Sequence, residues 1–83
     1  LFTVLLKNNA EAQNKEILHK YYTVVSIKDG DSLWQYANEY GELGYESNKE
    51  YIAEVQSINH LNNVNELISG DTIILPYYSQ DVL

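Results

Sequence analysis

Cysteine is absent from the 83 residues, so no disulfide framework can staple the chain. That absence is compatible with the cytosol and with an extracytoplasmic location alike. Arginine is missing too, and five lysines face twelve acids for a net charge of -7. Nucleic acids and anionic membrane surfaces both demand basic patches, so neither is expected as a partner. An acidic polymer held by charge alone is excluded on the same ground, which leaves a neutral ligand or a protein. Long apolar runs are lacking as well. Residues 1–6 (Leu-Phe-Thr-Val-Leu-Leu) form an apolar hexad, far short of the roughly twenty residues that cross a bilayer.

What is present suits one small domain. Apolar content is 45%, ordinary for a globular chain, although the length limits the core. Residues 1–20 read as an N-terminal tail or linker, 21–78 as the domain and 79–83 as a C-terminal tail. Position 1 is Leu rather than Met, which implies a piece of a longer product. The hexad then reads either as the end of a membrane anchor or signal segment, or as a short strand or helix packing on the domain.

The composition changes at Tyr21. Residues 21–27 (Tyr-Tyr-Thr-Val-Val-Ser-Ile) are aromatic and β-branched, predicting a strand. Alternation places Thr23, Val25 and Ile27 inward and Tyr22, Val24 and Ser26 outward. The stretch Asp29-Gly30-Asp31-Ser32-Leu33-Trp34 then reads as a strand-to-helix corner. Gly30 supplies the permissive backbone, and Asp31 or Ser32 caps the helix. Leu33, Tyr36, Ala37 and Tyr40 recur at helical spacing, and Trp34 is assigned to the same core face. Gly41 is expected to end this helix in the left-handed conformation. Ser47-Asn48-Lys49-Glu50 has the form of a capping box opening a second helix, with Tyr51, Ile52, Val55 and Ile58 as its apolar side and fraying near Asn59-His60. A turn-rich segment, Asn62 to Glu66, and the turn Ser69-Gly70-Asp71 lead to a second strand, Thr72 to Leu75, which Pro76 should end. The fold class is therefore α+β, a β-α-α-β unit in which two helices cover one face of a two-stranded antiparallel sheet.

These residues resemble the LysM (lysin motif) domain family along residues 25–76. The resemblance is carried by Gly30-Asp31-Ser32-Leu33-Trp34, Ala37, Tyr40, Ile58-Asn59, Leu61, Leu67, Gly70, Ile73, Leu75 and Pro76. It implies binding of N-acetylglucosamine-containing glycan, either peptidoglycan or chitin, in a shallow groove between two loops. By the same resemblance the groove would be lined by Asp29, Gly30, Asp31, Ser32 and Leu33 on one side. Leu61, Asn62, Asn63, Val64 and Asn65 would line the other. The chain departs from the family in having Val25 where Tyr is frequent, and in a longer inter-helix segment, residues 41–50. That longer segment resembles single-pass bacterial cell-division suppressors, which carry an outward LysM domain behind one membrane anchor. An extracytoplasmic place, at the cell wall or the outer face of the cytoplasmic membrane, follows from the resemblance.

Catalysis is not expected. Asp29 and Asp31 could be imagined as a glycosidase pair, but that chemistry needs two carboxylates across a deep cleft with one held protonated by burial. His19 and His60 lack metal-ligand spacing and read as surface residues, so neither a metal nor a cofactor is expected. Asp31 serves equally as a helix cap or as an acceptor for a sugar hydroxyl. Asn62, Asn63 and Asn65 carry the donors and acceptors that acetamido and hydroxyl groups require. Asn59 reads as a tie to backbone rather than a ligand contact. The rival reading is a protein-interaction module on the same fold, motivated by the long inter-helix segment and eight tyrosines. A third is a spacer attached to an enzyme encoded beside it.

Overall fold

The computed structural model describes residues 17–83. The readings of residues 1–6 and most of the N-terminal tail lie outside the described residues. Four elements follow in order: β1 (His19–Ser26), α1 (Leu33–Tyr40), α2 (Asn48–Asn59) and β2 (Thr72–Ser79). The strands pair antiparallel in continuous register from His19↔Ser79 to Ser26↔Thr72. This is the β-α-α-β fold expected from the sequence, with both helices packed against β2.

The alternation of β1 divides as expected: Tyr22 and Val24 are 58% and 62% exposed, whereas Thr23 and Val25 are half-covered and Ile27 is buried. Opposite them Ile73 and Leu75 are buried, and they meet Leu33, Tyr36 and Ala37 of α1 and Tyr51, Ile52 and Val55 of α2 in a single core. Each helix starts on a serine. The Ser32 hydroxyl accepts the Gln35 N–H at 3.1 Å, and the Ser47 hydroxyl accepts the Glu50 N–H at 3.1 Å. The Glu50 carboxylate does reach back, but to the Glu46 N–H at 2.7 Å, one residue before the cap. At its other end α2 is capped rather than frayed. His60 adopts the left-handed conformation, φ 60°, and its N–H reaches back to the carbonyls of Gln56 and Ser57.

Three further expectations are corrected. Gly41 has φ -98°, not a left-handed value. It is needed for space, since a Cβ there would stand 2.8 Å from the Ala37 carbonyl oxygen and from the Tyr51 ring. Trp34, assigned to the core, is 53% exposed. Pro76 does not end β2, which runs on through Tyr77 and Tyr78 to Ser79.

The proline is tolerated because α2 lies along the outer edge of β2. There the Asn59 carboxamide takes the place of a neighbouring strand. Its Oδ1 accepts the Ile74 N–H at 2.8 Å, and its Nδ2 donates to the Ile74 carbonyl at 2.8 Å and to the Val55 carbonyl at 2.9 Å. Pro76, two residues on, points its backbone to the same edge. It has no N–H to leave orphaned there, and its carbonyl accepts the buried Tyr51 hydroxyl at 2.7 Å. The edge is thus closed by side chains of one helix.

The long segment between the helices wraps this edge. Gly44, at φ 82°, brings the chain against the Tyr78 ring. Tyr45 packs on Tyr51 and Tyr78 at centroid distances of 4.9 and 5.4 Å. The Tyr45 hydroxyl donates to Glu54 at 2.6 Å, and Glu54 also forms an ion pair with Lys20, whose ammonium lies over the rings of Tyr22 and Tyr78. At the far end of β2, the Tyr21 hydroxyl donates to the Asp81 carbonyl and accepts the Leu83 N–H, each at 2.9 Å.

Three tyrosines are held well above the ordinary phenol value. Burial is the first cause for each. Hydrogen bonds to Asp31 and Glu54 add to it for Tyr36 and Tyr45, and the nearby Tyr40 and Glu54 add to it for Tyr51. A raised folded-state value means stability that is complete below the unfolded tyrosine value of about 10 and lost as pH rises beyond it. The denaturation midpoint followed by circular dichroism should therefore fall steeply above pH about 10, and Tyr45→Phe should make that fall shallower.

Candidate functional site

A cleft of about 480 Å³ opens between the two loops and α2. The capped start of α1 gives one wall: Ser32, Leu33 and Trp34. The second loop gives Val64 and Asn65. Between them runs one face of α2, Lys49, Ile52, Ala53 and Gln56, which stand at i, i+3, i+4 and i+7 and so share a stripe of the helix. Leu33 and Ile52 are buried and form the floor, while Trp34 and Val64 are exposed at the rims. The first turn of α1 leaves the N–H groups of Leu33 and Trp34 without intrahelical acceptors, as any helix start does.

Of the ten residues expected to bind ligand, the fold brings four to this cleft: Ser32, Leu33, Val64 and Asn65. Asp29 and Gly30 form the exposed turn ahead of it, with Gly30 at φ 88°. Asp31 lines a separate recess with Tyr36, Glu39 and Tyr40. Its Oδ2 accepts the Tyr36 hydroxyl at 2.7 Å and the Lys28 N–H at 2.9 Å, and those two bonds hold its carboxyl below the usual carboxylate range. Leu61 lines a third recess with Ile27, Leu67 and Ile73. Asn62 and Asn63 are exposed and shape the loop from within. The Asn62 N–H donates to Glu66 at 2.6 Å, and the Asn63 side-chain oxygen accepts the Asn65 N–H at 2.8 Å.

Five cleft residues lie outside the expected set: Trp34, assigned to the core, and Lys49, Ile52, Ala53 and Gln56 of α2. The signal for the last four was available in the register of α2. The stripe Lys49-Ile52-Ala53-Gln56 lies beside the core stripe Tyr51-Ile52-Val55-Ile58 and shares Ile52 with it, so the helix has a second face to account for.

Among the described residues no group of His, Asp and Glu side chains is placed to hold a metal ion. No helix there is long and apolar enough to cross a membrane. The cleft offers an apolar floor, an exposed indole, two carboxamides, a hydroxyl and one ammonium. That arrangement can bind, and it places no carboxylate pair across the cleft.

The family model for the LysM domain matches residues 25–76, more than half of the chain, and the chain belongs to that family. LysM domains generally bind glycans containing N-acetylglucosamine. Among curated proteins the chain is similar to the cell division suppressor protein YneA of Priestia megaterium (strain DSM 319 / IMG 1521). The two are 29% identical over 63 residues, which cover 74% of this chain and 58% of that one. The proteins of the same name from Listeria monocytogenes and Bacillus velezensis are 26% identical over 62 residues and 33% identical over 55. Those matches cover 75% and 66% of this chain, and 56% and 52% of the relatives. The chain thus spans little more than half the length of the curated relatives it matches. No solved structure matches it.

Proposed function

We propose that this domain binds N-acetylglucosamine-containing cell-wall glycan, without catalysis, in the cleft between the two loops. The observation that carries the reading is the juxtaposition of Ser32, Leu33 and Trp34 with Val64 and Asn65 across an apolar floor. The apolar face of a sugar ring would rest on Leu33, Ile52 and the Trp34 indole. Free N–H groups of the first turn of α1 would meet an acetamido carbonyl, and the carboxamides of Gln56 and Asn65 would meet hydroxyls. Asp31, engaged by Tyr36 and Lys28 and turned to another recess, would fix the corner rather than touch sugar.

A shallow site on a hydrated ligand should bind on the order of micromolar to millimolar. Retention on a wall would then come from an anchor or from many sites on one polymer. The relatives named as cell division suppressors support a place for the domain in a regulator of division held outside the cytoplasmic membrane. A protein partner is the second reading. It is favoured by the exposed sheet face of Tyr22, Val24 and Ile74.

NMR titration with chitin oligomers and with muropeptides tests the first reading. Shifts should centre on residues 32–34, 49–56 and 64–65. Trp34→Ala should weaken binding by about tenfold, an aromatic contact's worth, while leaving stability within about 0.5 kcal/mol because the ring is exposed. Shifts confined to Tyr22, Val24 and Ile74 with a protein partner, and none with glycan at millimolar concentration, would favour the second.

A further inference from the structure

We propose that Lys49 makes the groove selective for glycans that bear a carboxylate over neutral amino-sugar chains. This rests on the glycan reading above and narrows it to one ligand class.

The charge distribution around the groove carries the inference. The chain has a net charge of -7, yet none of the residues lining the cleft is acidic and one of them is a lysine. The acids nearest in sequence on α2 are drawn away from it. Glu50 is turned to the Glu46 N–H, and Glu54 to Lys20 and the Tyr45 hydroxyl. Lys49 has Ile52 and Ala53 at i+3 and i+4, so the helix itself offers no acidic neighbour in the direction of the groove.

The other two lysines among the described residues are differently occupied. Lys20 is paired with Glu54, the only ion pair among the described residues, and Lys28 stands beside Asp31 at the corner. Lys49 is exposed, lines the groove and, among the described residues, has no carboxylate within ion-pair distance. An ammonium on the wall of a cleft cleared of carboxylates suits an anionic substituent on an otherwise neutral sugar chain. In peptidoglycan one of two groups supplies it on a given sugar: the lactyl carboxylate where the peptide has been removed, or, where the peptide is amide-linked to that carboxyl, the free carboxylates of the stem peptide.

Lys49→Gln keeps the length and helical preference of the side chain and removes the charge. Its affinity is measured beside the wild type for three ligands of equal sugar length: a chitin oligomer, a peptidoglycan fragment stripped of peptide, and the same fragment with peptide. The variant should lose roughly two- to fivefold more affinity for a carboxylate-bearing fragment than for chitin oligomer, as one exposed ion pair allows. Loss on the stripped fragment assigns the contact to the lactyl carboxylate; loss only on the peptide-bearing fragment assigns it to the peptide. Equal affinities of variant and wild type on both fragments, or equal losses on all three ligands, would overturn the role of Lys49 while leaving the groove intact. Failure of the wild type to bind any of the three removes the glycan reading and this inference with it.

Discussion

Asn59→Ala is expected to lower the unfolding free energy by about 2–3 kcal/mol, the removal of three hydrogen bonds at about 1 kcal/mol each. For a domain of this size that corresponds to a melting temperature lower by roughly 10 °C or more. The reason lies in what the carboxamide replaces. Among the described residues the outer edge of β2 has no third strand, and Asn59 alone meets both the N–H and the carbonyl of Ile74. Alanine leaves those groups to whatever water can reach beneath α2. Asn59→Asp discriminates this account from a simple loss of packing. It retains the acceptor for Ile74 N–H but sets a second oxygen against two carbonyls, so it should be at least as damaging at neutral pH. Its deficit should shrink in acid, where the protonated carboxyl can donate. A deficit in Asn59→Asp that does not vary with pH would contradict the edge-pairing account.

Gly44→Ala is the second large effect, expected at about 2–4 kcal/mol. Two costs add. The residue sits at φ 82°, where a Cβ costs about 1–2 kcal/mol. The new Cβ would also lie 2.3 Å from the Tyr78 ring, whose root atom is within 2.8 Å, so the whole ring must move and not merely its tip. Moving it disturbs the packing of Tyr45 and the seat of Lys20. Gly30→Ala is the matched control. Its φ of 88° carries the same backbone cost, but nothing lies within 4 Å of the added Cβ. Urea denaturation should show the Gly44 variant losing more than the Gly30 variant by the steric share alone; equal losses would mean that the Tyr78 contact is slack.

The elements of this fold are legible because each is stated locally. Serines precede both helices, β1 alternates cleanly, and Leu33, Tyr36 and Ala37 mark a buried stripe. What was illegible depends on neighbours. Pro76 reads as a strand terminator because a proline cannot donate to a ladder. On the outward-facing side of an edge strand no ladder bond is asked of it, and only the assembled sheet reveals which side that is. Gly41 reads as a left-handed cap from its position, whereas its actual constraint is the ring of Tyr51, ten residues away. Trp34 was recoverable. At roughly 100° per residue it falls well off the axis of the stripe formed by Leu33, Ala37 and Tyr40, and its hydrophobicity masked that angle. The groove was partly legible, since family resemblance pointed to both loops. The α2 wall was not, because it uses the margin of a core-facing stripe.

The antiparallel register of His19 with Ser79 has a spatial corollary. The outer ends of the two strands, His19 and Ser79, lie at one pole of the domain, and the corner at residues 29–33 and the turn at residues 69–71 lie at the opposite pole. A leash attached at either flank therefore pulls from behind, and the mouth formed by the loops is carried forward, away from whatever holds the leash.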